Sequence, residues 1–303
     1  MKVFRALALV AALLLVLGIA FSLDNSPVTP EPAPPYSPTS TSAPATETGP
    51  IALKGKTILN FGDSIFGNYK APNDISSYLA QATQATVYNV AFGGCRMSVH
   101  SIEQYHAFSM YALANAIARN DWTVQEAAMA RQDWTPHNTY AGHLKTLQSI
   151  DFNQVDIITI AYGTNDFAGK APLDNPNDPY DTATFGGALR YSIETISKAY
   201  PNIKIVICTP IYRFWIDKEN NNAFLYDSEQ YTVENTKLTD FVNLCKSVAD
   251  RYDLLCIDNY SGSGLCYDNR SECFPETSGV HPNQTGLQMI AAYMAEVLLE
   301  NYG

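Results

Sequence analysis

Thr57-Ile58-Leu59-Asn60-Phe61-Gly62-Asp63-Ser64-Ile65 begins as an apolar, β-branched run and ends in turn-forming residues. The pattern predicts a strand that stops near Gly62 and turns towards a helix. A serine at such a strand end stands exposed above a sheet, where a nucleophile has to be. Gly-Asp-Ser alone is also the composition of an ordinary turn. The meaning of Ser64 therefore depends on what the rest of the chain brings beside it.

The alternation continues downstream. Ile75 to Gln84 has helical spacing, Ala85 to Phe92 reads as a second buried strand closed by Gly93-Gly94, and Val155 to Tyr162 reads as a third. That third run is apolar nearly throughout, as suits a parallel strand covered on both faces. Next come a helix at 181–200, a strand at 203–208, a helix at 236–252, a strand at 254–257 and a last helix from Asn283 to Glu300. Helical segments occupy 101–150, and an aromatic loop runs from Ile211 to Thr232. The order predicts a three-layer α/β domain around a five-stranded parallel sheet. Ligands in such folds bind beyond the carboxyl ends of the strands.

Composition narrows the function. With 19 basic and 30 acidic residues the formal charge is −11, and no Lys/Arg cluster offers a phosphate-binding face, so nucleic acid is excluded as a partner. Lys2 and Arg5 precede an apolar run from Ala6 to Phe21, with small residues at Ala20 and Ser22. Residues 1–22 are therefore a signal peptide or an uncleaved signal anchor, and only the second would involve a membrane. Residues 23–50 are rich in Pro, Ser, Thr and Ala, and read as an extended linker that is either a spacer or a leader with no role. A single catalytic domain, 51–303, faces outward in either case.

Six cysteines in an exported chain make disulfides expected. Cys266 and Cys273 bracket a short polar loop and form the favoured pair, with Cys245 and Cys256 second. Cys95 and Cys208 read as buried small hydrophobes. Neither a Cys-x-x-Cys nor a His-Glu-x-x-His motif occurs, so no metal site is indicated. The stretch Asp174-Asn175-Pro176-Asn177-Asp178 is acidic but lacks an EF-hand pattern.

Four strand ends or adjacent loops carry unusual residues: Gly62-Asp63-Ser64, Gly93-Gly94-Cys95-Arg96, Gly163-Thr164-Asn165-Asp166 and Gly279-Val280-His281-Pro282-Asn283. A parallel sheet puts all four on one rim. A nucleophile, a backbone-donor glycine, a side-chain amide and a base are what acyl transfer requires. In these motifs, their order and their separations, the chain from Gly55 to its C-terminus resembles the SGNH, or GDSL-type, esterase and acylhydrolase family. The resemblance implies a flavodoxin-like sheet, in which the second and fourth strands are not neighbours, and that argues against a Cys95–Cys208 pair. It also implies Ser64 as nucleophile, His281 as general base, and the Ser64 and Gly94 N–H groups with the Asn165 side chain as oxyanion donors. These groups suffice, so no cofactor is expected. Asp63 and Asp166 read as structural groups bonded to loop backbone.

One position departs from the family. Its members often carry Asp-x-x-His, whereas this chain has Ser278-Gly279-Val280-His281. A backbone carbonyl could orient the histidine in a Ser-His dyad. Alternatively Glu276, Asp258 or Asp268 could supply the carboxylate, or the protein is a weakened enzyme or a glycan-binding protein on an esterase scaffold. Aromatic residues after the fourth strand, Tyr212 and Trp215 foremost, are candidates for substrate contact, although aromatics there also pack loops down. The expected reaction is hydrolysis of short O-acyl esters on a polysaccharide or another extracellular compound. Acyl transfer by the same serine is the alternative.

Overall fold

The computed structural model describes residues 53–303. The expected signal segment and the whole of the linker lie outside the described residues. Five strands form one parallel sheet: β1 (Thr57–Gly62), β2 (Thr86–Asn89), β3 (Ile157–Ala161), β4 (Lys204–Cys208) and, after two strands of a separate hairpin, β7 (Leu255–Ile257). The order is β2-β1-β3-β4-β7, so β2 and β4 are separated by two strands.

Period-two alternation divides the core strands between two layers. Leu59, Phe61, Ile158, Ile160, Ile205 and Ile207 join one hydrophobic core, whose helices are Met110–Arg119, Phe185–Ala199 and Leu238–Tyr252. Ile58, Ile157, Val206 and Ile257 join the other, beneath helices Ile75–Thr83 and Gln284–Tyr302. Among the described residues, no helix is long and apolar enough to cross a membrane. Side chains cap several helices at the expected places. Asp74 accepts from Ser77 N at 2.6 Å, Thr184 from Gly187 N at 3.1 Å, and Asn283 from Gly286 N at 3.2 Å.

Three sequence expectations need correction. The second strand is shorter than 85–92 and lies at the sheet edge, where Tyr88 is exposed. The buried stretch Val90-Ala91-Phe92 nevertheless keeps company with β1, because Val90 N donates to Asn60 O at 3.1 Å and Phe92 N to Gly62 O at 2.9 Å. This delivers Gly93-Gly94 to the end of the strand that carries Ser64.

The segment 211–232 is not a loop but holds an antiparallel hairpin, β5 (Phe214–Asp217) and β6 (Ala223–Asp227). Trp215 pairs with Tyr226 across it, and the turn uses Asn221 and Asn222 at φ +52° and +57°, a left-handed conformation that asparagine tolerates.

All six cysteines are free. Cys273 is buried with its Sγ 3.5 Å from Met289 Sδ, whereas Cys266 is exposed, so the favoured pair faces in different directions. Asn269 closes that loop instead, accepting from Cys266 N at 3.0 Å and donating to Gly264 O at 2.8 Å. Cys245 is buried against the sheet and Cys256 lies half-buried on β7, also unbonded. Cys95 and Cys208 are buried.

One polar bridge crosses the core. Asn60, fully buried on β1, donates to Ser76 Oγ at 2.9 Å and accepts from Thr159 Oγ1 at 2.8 Å. All three groups are satisfied without water, and they join β1 to β3 and to the helix above. Asn60→Ala breaks both bonds and is expected to lower unfolding free energy by roughly 2–4 kcal/mol, read by urea denaturation at unchanged m-value.

Candidate active site

The carboxyl ends of β1 and β3 deliver two tight turns. After β1, Asp63 caps the turn Ser64–Gly67 by accepting from Ile65 N at 3.0 Å, which leaves Ser64 as its first residue. The Ser64 N–H has no acceptor within that turn. Burial is the main reason the Asp63 carboxyl is pushed up to about 7, against the opposing bond from Ile65 N. After β3, Gly163 leads into Thr164–Ala168, which carries Asn165 and Asp166.

Asp166 is fully buried and accepts from Met97 N at 2.9 Å, Ser98 N at 3.0 Å and Ser98 Oγ at 2.6 Å. Burial raises its pKa, opposed by these bonds. Like Asp63 it bonds to loop backbone, and it ties the loop after β2 to the turn after β3. Asn165 Nδ2 reinforces the tie by donating to Cys95 O at 2.9 Å.

Gly94 stands between them at φ +82°, and a Cβ there would meet Tyr105 at 2.9 Å. Both facts require glycine. No backbone acceptor among the described residues takes its N–H. Beside it the Cys95 thiol is buried, contacts Tyr140 Oη at 3.1 Å, and is raised well above its usual pKa by burial, which removes it as a nucleophile.

His281 arrives from the other end of the chain, and its Nε2 lies 2.8 Å from Ser64 Oγ. Its turn is held by backbone. Ser278 Oγ accepts from Val280 N at 3.2 Å and His281 N at 3.0 Å, Phe214 N donates to Gly279 O at 2.9 Å, and Tyr69 Oη donates to Pro282 O at 2.7 Å. Gly279 is required by this packing, since a Cβ would lie 2.2 Å from Phe214 O.

None of the acids considered for His281 is bonded to it. Glu276 and Asp268 are exposed, and Asp258 is engaged with Thr209 Oγ1, Ser261 N and Lys246. No backbone carbonyl bonds the ring either: among the described residues, Ser64 is its one hydrogen-bond partner. Ser278 thus occupies the place of the family's aspartate as a cap of the turn. Burial lowers the His281 pKa, and the positive charge of Arg213 lowers it further.

Ser64, Gly94, Asn165 and His281 share the wall of one cavity of about 540 Å³, together with Tyr105 and Arg213. Such an arrangement can move a hydroxyl proton onto imidazole while N–H groups face the developing oxyanion. The chain belongs to the GDSL-like lipase/acylhydrolase family. That family's model matches residues 61–289, and the chain is a carboxylic ester hydrolase. No curated protein matches it.

Solved structures share the fold at low identity. A protein from Lactobacillus plantarum is 16% identical with a TM-score of 0.57, the match covering 83% of this chain and 100% of that one. A possible lipase from Chitinophaga pinensis is 16% identical with a TM-score of 0.52, covering 80% and 98%. The carbohydrate acetylesterase Est24 from Sinorhizobium meliloti is 15% identical with a TM-score of 0.50, covering 80% and 97%.

The two aromatic candidates of this GDSL-family chain separate. Tyr212 is buried, donates to Asp227 Oδ2 at 3.1 Å and packs on Phe214 and Phe274, away from the cavity. Trp215 is half-buried and lines a neighbouring cavity of about 370 Å³ that also contains Val280 and His281. Sequence reasoning missed Arg213 and Tyr105. The signal for Arg213 was a single cation inside Ile211-Tyr212-Arg213-Phe214-Trp215. Among the described residues no cluster of three His, Cys, Asp or Glu is placed to hold a metal, and Asp174 is paired with Arg190.

Two outcomes follow for kinetics. A base must be unprotonated, so a lowered His281 pKa extends activity to lower pH. The acid limb of kcat/KM is expected to bend below pH 6.5, the ordinary histidine value, in a pH-rate profile. Ser278→Asp keeps an acceptor for the two turn N–H groups and adds a carboxylate near the ring. It is expected to raise kcat about tenfold or more and to move that limb upward.

Proposed function

We propose that this protein is a serine esterase that removes short O-acyl groups from extracellular esters, polysaccharides among them, through an acyl-Ser64 intermediate. The reading rests on the 2.8 Å contact between His281 Nε2 and Ser64 Oγ, at the rim where Gly94 and Asn165 also stand. Ser64 Oγ attacks the ester carbonyl as its proton passes to His281 Nε2. The carbonyl oxygen becomes an oxyanion facing the N–H groups of Ser64 and Gly94 and the Asn165 amide. Collapse breaks the bond to the alcohol oxygen, which leaves with the proton from His281. Water then attacks the acyl-serine with His281 again taking the proton, and collapse releases the carboxylic acid and restores Ser64.

Short acyl groups suit a wall to which Asn68, Thr135, His137, Asn165 and Arg213 contribute, because a long alkyl chain would strip water from these groups without replacing their hydrogen bonds. Est24, which has the same fold, is a carbohydrate acetylesterase, a chemistry of this class. An extracellular location is favoured by Lys2, Arg5 and the apolar run 6–21. The linker after it suits a domain held away from a surface.

Hydrolysis of 4-nitrophenyl esters tests the proposal. Ser64→Ala is expected to lower kcat by about 10³-fold or more and Asn165→Ala by about 10²–10³-fold, with folding unchanged by circular dichroism. Acetate esters should turn over faster than dodecanoate. Equal rates for native protein and Ser64→Ala would overturn the mechanism, and a preference for dodecanoate would overturn the short-acyl assignment.

A further inference from the structure

The molecule carries 30 acidic residues, yet no Asp or Glu lines the cavity around Ser64 or the neighbouring cavity behind His281. The charged side chains there are cationic: Arg213 in the first and Lys218 in the second. Arg213 is 7% exposed, which is unusual for a guanidinium without an ion pair. It takes part in none of the ion pairs found among the described residues.

Its Nη1 donates to Thr164 Oγ1 at 2.8 Å and Thr164 O at 3.2 Å, and its Cζ lies 4.5 Å from the centre of the Trp215 ring. Nε is buried with no hydrogen-bond partner among the described residues. Thr164 and Trp215 therefore hold the guanidinium in place while leaving its charge uncompensated. The carboxylate that influences it, Asp63, is outside ion-pair distance and has a carboxyl pushed up to about 7, so it is a weak counter-charge.

We propose that Arg213 is a specificity-determining residue that binds a carboxylate of the substrate beside the scissile ester. This rests on the esterase reading above and names the substrate class: esters whose acyl or alcohol part carries an anionic group. The arrangement gives that anion a second role. His281 becomes positive in the transition state, next to a cation and with no bonded acid. A substrate carboxylate on Arg213 neutralises the opposing charge and stabilises imidazolium, so part of its benefit belongs in kcat. The net charge of −11 opposes approach of a polyanion, which favours substrates bearing one or a few carboxylates over densely charged polymers.

The experiment compares matched ester pairs on the full chain at fixed ionic strength. One pair places the charge on the acyl side, 4-nitrophenyl hemiglutarate against 4-nitrophenyl butyrate, with spontaneous hydrolysis subtracted. The other places it on the alcohol side, an O-acetylated uronic acid against its methyl ester. In at least one pair the native protein should favour the carboxylate by about tenfold or more in kcat/KM, the scale of one charge-assisted hydrogen bond, with part of the gain in kcat. Arg213→Gln should bring that ratio to about one, Arg213→Lys should retain part of it, and raising salt should reduce it in native protein.

A native ratio near one in both pairs overturns the proposal, as does a preference that survives in folded Arg213→Gln. Should Arg213→Gln not fold, the native ratio and its salt dependence decide. Ser64-dependent hydrolysis of neutral esters without a carboxylate preference sinks this inference alone. No Ser64-dependent hydrolysis of any ester sinks the esterase reading beneath it.

Discussion

The contact between His281 and Ser64 joins residues 217 positions apart, and the rest of the structure exists in a form that keeps it at 2.8 Å. Neither residue can reach the other from its own segment. β1 must end where it does, and the turn before the last helix must dock beside it. A parallel sheet with buried faces meets that demand because every strand presents its carboxyl end to the same rim. The Asn60 bridge belongs to the same task, since it joins β1 to β3, the strands whose ends carry Ser64 and Asn165.

Position of the histidine is achieved in an unusual manner. Four hydrogen bonds, two from backbone to Ser278, one to Gly279 and one to Pro282, fix the turn rather than the ring. Backbone anchoring defines where the imidazole is but does nothing for its charge when protonated. A bonded carboxylate would do both. The turn provides only the first of two duties that a triad acid usually combines, and in the proposed mechanism the electrostatic one is left to what occupies the cavity.

Much of this was legible in the residues. Apolar runs marked the five sheet strands, and the four rim motifs were visible because glycine and polar residues interrupt apolar strands at their ends. The loss of the acid was plain at Ser278. That no other acid replaces it was not, because Glu276 and Asp268 point to solvent for reasons set by packing. The hairpin was hidden by its aromatics, which read as loop ballast, although Asn220-Asn221-Asn222 carried a turn signal. Cysteine spacing suggested a bridge across 266–273, but spacing does not say which way a thiol faces, and Cys273 turns inward to Met289. Arg213 escaped notice because its burial depends on Thr164, 49 positions earlier, and on the face of Trp215.

The three hydrogen bonds that Asp166 accepts from Met97 and Ser98 have a wider meaning. They clamp the loop that carries Gly94 to the turn that carries Asn165, so the two candidate oxyanion donors are held relative to each other. The long segment from Val99 to Ile150, which supplies Tyr105, Thr135 and His137 to the cavity wall, begins on the far side of that clamp. Thr139 and Tyr140 tie this segment back to the site, donating to Gly67 O and Gly93 O at 2.7 Å each, whereas Thr135 and Pro136 line the wall without hydrogen-bonding the loops that carry Ser64 and Gly94. Substrate range can thus diversify at the wall positions that make no such bonds, while Thr139 and Tyr140 are held to their task by the loops they support.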